Sequence, residues 1–406
     1  MNKPSTILST SSIPGRLRSL DALRGFDMFW IVCGEGIFHG LAAVIQQNHG
    51  LVQDKTNWQI AGNDNLSFIE KILIGISNQL HHTVWNGFTF YDLIFPLFIF
   101  IAGVSMPFSF GKQLQQATDK TAARRKIIFS VFKRSVILIL LGMVVNGAFQ
   151  LKGYENTRFA SVLGRIAISC FFGAMIFLYC RPKAQLAWCI GLLLGYWAMM
   201  TLVPVPGFGP GDLTPEGNLA AWVDRNFLPG KLHRKVYDPE GLLSNIPAIA
   251  SALLGIFTGQ FLKLAPANWS SSRKAVTIFG AGIVCILTGY AWGWAFPINK
   301  NMWTSTYVLF AGGWSMTLFA LFFYIIDVRD LKSWSTPLVW IGMNSILIYM
   351  AAHGLVNFES SSDFVFGGLI RLFPAAWYNA LLWTGVALIQ LAGLYWLYKK
   401  KIFLKL

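Results

Sequence analysis

Phe88-Thr89-Phe90-Tyr91-Asp92-Leu93-Ile94-Phe95-Pro96-Leu97-Phe98-Ile99-Phe100-Ile101-Ala102-Gly103-Val104-Ser105-Met106-Pro107-Phe108-Ser109-Phe110 carries one charged side chain along its whole length. About 20 consecutive apolar residues, rising ~1.5 Å each, cover the ~30 Å of a bilayer's hydrocarbon. The stretch therefore reads as a membrane-spanning helix. Similar stretches recur between polar, Gly- and Pro-bearing breaks, at residues 22–46, 135–150, 160–180, 185–203, 242–263, 275–296, 305–326, 337–353 and 377–398. With 54% of 406 residues hydrophobic and 13% charged, the bilayer is the natural solvent for this chain. The expected fold is an all-α integral membrane bundle of about ten spans forming a single unit over residues 1–406. The third and ninth spans are short for a full crossing, which leaves tilt, re-entry or a merged pair open.

An even number of spans puts both termini on one side, and the basic residues say which. Cytoplasmic flanks retain Lys and Arg during insertion. Lys3, Arg16, Arg18 and Arg24 precede or open the first span. Lys112, Lys120, Arg124, Arg125, Lys126, Lys133 and Arg134 fill residues 111–134, read as a loop. The alternation continues through Arg181 and Lys183, then Lys263, Arg273 and Lys274, then Arg329 and Lys332, and ends in Lys399, Lys400, Lys401 and Lys405. Both termini are expected to be cytoplasmic.

The net charge of +15 does not imply nucleic acid, because the cations flank spans in short loops and do not stripe one folded surface. Residues 1–19 have no apolar core ahead of a small-residue cleavage site, so no cleaved signal peptide is expected. Cys33, Cys170, Cys180, Cys189 and Cys285 fall in or beside spans without CxxC spacing, as packed residues do. No metal-ligand set, phosphate-binding loop or dinucleotide fingerprint is present, which argues against an ATP-driven pump. There is no convincing internal repeat of the kind many transporters carry.

Two connections are long enough to act as a lid, residues 47–87 and 204–241. The first holds Asn57, Trp58, Asn63, Asp64, Asn65 and the pair His81-His82. The second begins rich in Pro and Gly and ends in Tyr237-Asp238-Pro239-Glu240-Gly241.

Ionisable residues inside spans cost about 2.5–3.5 kcal/mol each at the membrane centre, so each calls for a partner or a task. Asp92 lies just inside the second span, and Pro96, four residues on, has no N–H to give the Asp92 carbonyl. Arg165 sits at comparable depth in the fourth span, which makes an Asp92–Arg165 pair reasonable; a purely structural ion pair is the plainer alternative. Arg24 lies between Asp21 and Asp27 and suits an anionic, phosphate-bearing ligand arriving from the cytoplasm. Glu35, between Gly34 and Gly36, has no role assigned. His81 and His82 point about 100° apart on a helix and would not share a metal. His82 keeps company with Trp85, Asn86 and Asp92 and is the residue of greatest interest.

His82-Thr83-Val84-Trp85-Asn86-Gly87-Phe88-Thr89 followed by Asp92-Leu93-Ile94-Phe95-Pro96 closely resembles the HxxWNG stretch of the heparan-α-glucosaminide N-acetyltransferase family and its bacterial relatives. Ser19-Leu20-Asp21-Ala22-Leu23-Arg24-Gly25, Tyr237 to Gly241, Pro297-Ile298-Asn299-Lys300-Asn301-Met302-Trp303 and Gly342-Met343-Asn344-Ser345-Ile346 extend the resemblance in the same order. It implies a transmembrane acetyltransferase that takes acetyl-CoA from the cytoplasm and acetylates an amino sugar on the other face. In the family the histidine of HxxWNG is implicated in catalysis, which here falls on His82, with the aspartate ten positions later falling on Asp92. Family members often carry an asparagine where this chain reads Cys33-Gly34-Glu35-Gly36, and this chain has a long insertion before His82.

A neutral imidazole suits removal of the acceptor's proton near neutral pH, with Asp92 fixing its tautomer; an acetyl-His82 intermediate is the covalent alternative. On this reading Arg24, Asn86 and Asn344 contact acetyl-CoA, while Trp85, Arg165, Asp238, Glu240 and Asn299 contact the amino sugar. The expected partners are the bilayer, acetyl-CoA and the acceptor, with no metal and no nucleic acid, and a homodimer left open. The expected location is a bacterial cytoplasmic membrane with the site toward the outer face. A sugar permease, or an acyltransferase for a cell-envelope glycan, is the rival reading.

Overall fold

The computed structural model describes residues 17–54, 56–62, 65–151, 153–266 and 268–404; Lys3, Arg16, Asn63, Asp64 and Lys405 lie outside the described residues. Among those described, nine helices are long and apolar enough to cross a membrane, or ten if one bent pair counts as a span. They are α1 (Arg18–His49), α3 (Phe90–Gln116), α4 (Lys120–Val145), α5 (Val162–Tyr179), α6 (Pro182–Leu202), α8 (Asn245–Leu264), α9 (Ser271–Trp292), α10 (Ser305–Val328) and α14 (Ala375–Lys399). The bent pair is α11 (Thr336–Met343) and α12 (Ser345–Leu355), which meet at 74°. Shorter helices α2 (Phe68–Gln79), α7 (Leu219–Phe227) and α13 (Phe358–Ile370) lie in the connections. The all-helical membrane bundle expected from the sequence is what is found.

Two expectations need correction. The third span runs from Lys120 to Val145, not 135–150, so most of the basic segment read as a loop is helix. Asp119 caps it, accepting from the Thr121 and Ala122 N–H groups, and long Lys and Arg stems cover apolar surface while their charges stay solvated. The ninth span is not a short straight helix; it breaks at Asn344. There the side-chain amide donates to the Ile402 carbonyl (3.1 Å) and accepts from Leu404 N–H (3.1 Å), so the C-terminal segment holds the break.

Helices α3, α8 and α10 form the centre, with α4, α6 and α9 outside them. Small residues set the spacing. A Cβ on Gly103 would stand 2.3 Å from the Ala252 carbonyl oxygen, and one on Gly25 only 1.7 Å from that of Leu338, so α3 crosses α8, and α1 crosses α11, backbone to backbone. One π-helical turn, Trp30–Gly34, interrupts α1; the Gln390 amide of α14 donates to the Val32 carbonyl within it.

Hydrogen bonds identify which connections share an end of the bundle. His82 meets Lys300, Trp85 Nε1 donates to the Leu213 carbonyl (2.9 Å), and Arg158 bonds Asp238. Four connections therefore meet at what we term the His82 end. Arg18 donates to the Lys332 carbonyl and Lys263 to the Pro107 carbonyl at the opposite, Arg24 end.

Candidate functional site

Asp92 is the anchor of the site. Thr89 is the N-cap of α3 and Asp92 stands at its third position, the arrangement of a capping box, where a carboxylate also meets the positive end of the helix dipole. Oδ2 accepts from Thr89 N–H (3.2 Å), Thr83 N–H (3.3 Å) and Thr83 Oγ1 (3.0 Å). Oδ1 accepts from His82 Nδ1 at 2.8 Å and faces Lys300 Nζ at 3.4 Å. The carboxylate is fully buried, so this dense set of donors offsets the cost of its desolvation. A single turn of chain between His82 and Asp92 thus folds back on itself around one carboxylate.

With Nδ1 committed to Asp92, the Nε2 atom of His82 carries the available lone pair. About half of the His82 side chain (49%) remains accessible. It opens on a cavity of about 220 Å³. The polar rim of this cavity is His82, Lys300, Glu240 and Tyr91; its walls are apolar, with Ile94 and Phe98 of α3, Met28 and Ile31 of α1, and Ile346 and Tyr349 of α12. The cavity extends from the His82 end into the bundle along α1 and α3. Burial pushes the pKa of His82 down, and the Lys300 ammonium adds to this, against the opposing pull of Asp92. Lys300 is itself lowered by burial, opposed by Asp92.

Lys300 was quoted in the sequence motif but not singled out. Its Nζ lies 3.0 Å from His82 Nδ1 and 3.2 Å from Nε2, a position over the ring face, since an in-plane contact could approach only one nitrogen so closely. The turn that presents Lys300 is fixed by Asn299, whose Oδ1 accepts from Met302 N–H and whose amide donates to Asn86 Oδ1. Gly87 N–H donates to the Ile298 carbonyl. Asn86 and Asn299 therefore join the two loops of the site, and Trp85 ties them to the 204–241 connection through Leu213 and an edge contact with Tyr237.

The expected Asp92–Arg165 pair does not form. Arg165 is buried, donates to Ser244 Oγ and the Gly241 carbonyl, and stacks its guanidinium 4.7 Å from the Trp303 ring centre. Lys300 takes the cationic place beside Asp92 instead. Asp238 is bound on both oxygens by Arg158 (2.8 and 2.6 Å), and Glu240 meets the same guanidinium while also lining the cavity. Arg158 lies in a connection between spans, where no membrane cost drew attention to it. Arg24 sits at the other end of the bundle, paired with Asp21 at 3.8 Å. Asn344 spends its amide on the C-terminal segment. Neither meets His82. Glu35 accepts from the Tyr91 hydroxyl, and the Tyr91 ring lies 4.7 Å from that of His82. His81 turns away to stack on His39 at 4.1 Å, and burial pushes its pKa down to about 4. Among the described residues no cluster of His, Cys, Asp and Glu could hold a metal ion.

The fold and site together define a polytopic membrane protein with a histidine, oriented by a buried carboxylate, at the head of an intramembrane cavity. The chain is similar to the heparan-alpha-glucosaminide N-acetyltransferases of Mus musculus and Homo sapiens, 28% identical to each over 391 residues that take in 80% of this chain. The family resemblance carried by the sequence motifs is thereby borne out. The chain spans a little over half the length of these relatives, 56% and 55%. No protein-family model matches it.

Proposed function

We propose that this protein is an acetyl-CoA-dependent N-acetyltransferase that acetylates the amine of an amino sugar of glucosamine type. The observation that carries the reading is the His82–Asp92–Lys300 group at the rim of the cavity. His82 Nε2 takes a proton from the acceptor amine as its nitrogen attacks the acetyl carbon. The Lys300 ammonium, held over the imidazole, stabilises the oxyanion as the C–N bond forms. The C–S bond then breaks, its electron pair leaves on sulfur, and the proton held by His82 passes to the thiolate, whose ordinary pKa near 8.5 makes it a good leaving group. Asp92 keeps the proton of the neutral ring on Nδ1, leaving Nε2 to act as base.

The apolar walls between α1, α3 and α12 suit an extended, uncharged arm such as pantetheine. The basic Arg24 end is the side on which the positive-inside rule puts the cytoplasm and the nucleotide. The acceptor then meets His82 from the other face, and the setting is a cytoplasmic membrane of bacterial type. Acetylation of a cell-envelope glycan falls within the same chemistry.

The test is a sided assay in proteoliposomes, with acetyl-CoA on the Arg24 side and glucosamine on the His82 side. N-acetylglucosamine should form, and His82→Ala should lower the rate by about 10²–10⁴ in folded protein. Unchanged acetylation in that variant would overturn the reading. The broken α11–α12 span is a feature of many transporters; amino-sugar uptake without acetyl-CoA would favour transport instead.

A further inference from the structure

A second pocket, of about 230 Å³, opens at the His82 end between residues 146–158 and 231–233. Its lining contrasts with the reaction cavity: Asn146, Gln150, Thr157, Arg158, Lys231 and His233 supply amide, hydroxyl, guanidinium, ammonium and imidazole groups. The side chains of Gln150, Lys231 and His233 have no hydrogen-bond partner among the described residues. Their donors and acceptors are thus available in a concave site, in the mixed pattern that the hydroxyls of a pyranose ring, each both donor and acceptor, can satisfy.

The pocket is built on a fixed frame. Arg158 pairs with Gly230 in an antiparallel bridge, and Lys231 N–H donates to the Thr157 carbonyl at 2.9 Å. Gly230 has φ +71°, and a Cβ there would stand 2.1 Å from the Thr157 carbonyl oxygen, so only glycine allows this approach. The pocket also adjoins the reaction cavity: Arg158 lines the former, and Glu240, bound to that guanidinium, lines the latter.

We propose that this pocket is a second saccharide subsite, holding the sugar unit next to the amino sugar being acetylated, with Arg158 and Glu240 forming the partition between the two rings. The assignment rests on the acetyl-transfer reading and deepens it, making an oligosaccharide terminus the preferred acceptor over a free monosaccharide.

The test compares glucosamine with a disaccharide bearing glucosamine at its non-reducing end, using the full chain in nanodiscs, as wild type and as Gln150→Ala and Lys231→Ala. Wild type should favour the disaccharide in kcat/KM by about tenfold or more, one lost polar contact being worth roughly that factor. Each variant should lose most of that preference while glucosamine turnover stays the same. Equal use of both acceptors by wild type, or a parallel loss for both acceptors in variants of unchanged melting temperature, would overturn the subsite. Calorimetric titration of the disaccharide into the same proteins reads the subsite without turnover. Tight binding weakened by Lys231→Ala, in a protein that acetylates neither sugar, would uphold the subsite while removing the transferase reading. Affinity equal to that of glucosamine would overturn it.

Discussion

The Tyr307 hydroxyl donates to the main-chain carbonyl of Asp92 at 2.7 Å. This is the carbonyl that Pro96, four residues along α3, leaves without its helical N–H. A phenol from α10 thus completes the first turn of α3, the turn that carries the carboxylate orienting His82. The gap in the helix and the orientation of the site are one feature.

Tyr307→Phe removes that donor and leaves a buried carbonyl unpaired, at a cost of about 1–3 kcal/mol. The melting temperature of the solubilised protein should fall. Catalysis should fall less than in Asp92→Asn, because the carboxylate keeps its other donors. A melt indistinguishable from wild type would show that the first turn does not depend on this contact.

The pKa of His82 lies below the ordinary imidazole value of about 6.5, through burial and then Lys300, so the neutral base is populated at lower pH than usual. Because the neutral form is the competent one, kcat/KM should rise with pH along a limb centred below 6.5. Lys300→Met removes a charge that disfavours the protonated ring and should move the limb to higher pH. Asp92→Asn removes a charge that favours it and should move the limb to lower pH. Profiles of kcat/KM against pH for the three proteins check both signs.

Arg158 is the shared partner of Asp238 and Glu240. Arg158→Ala leaves the fully buried Asp238 carboxylate without its cation, at a cost on the order of 3 kcal/mol. Arg158→Lys keeps the charge but cannot bind both Asp238 oxygens in the planar geometry of a guanidinium, and should fall between. Thermal melts of the two variants should rank in that order.

The α1–α11 crossing is set by Gly25 and Gly342; a Cβ on Gly342 would lie 1.9 Å from the Asp21 carbonyl oxygen. Gly25→Ala or Gly342→Ala should force the backbones apart, costing about 1–3 kcal/mol or more. Gly280→Ala meets open space on α9 and should leave the melt unchanged or slightly raised, since alanine is the better helix former. Size-exclusion profiles and melts of the three variants separate packing from general sensitivity to substitution.

The sequence by itself determined the membrane class, the approximate positions of the spans, and the His82–Asp92 pair. These are matters of apolar run length and of ten residues of local chain, and both are written locally. It also exposed the unpaired carbonyl of Asp92, though not the phenol that answers it. What only the tertiary structure decided is which distant residues complete the site. Lys300 stands over His82 because Asn299 and Asn86 clasp two loops more than two hundred positions apart, and Arg165, equally costly in a membrane, is drawn to Trp303 and Ser244 instead. Depth in the bilayer can be read from a sequence, but the azimuth of a side chain around its helix axis, and hence its partner, follows from how the helices pack.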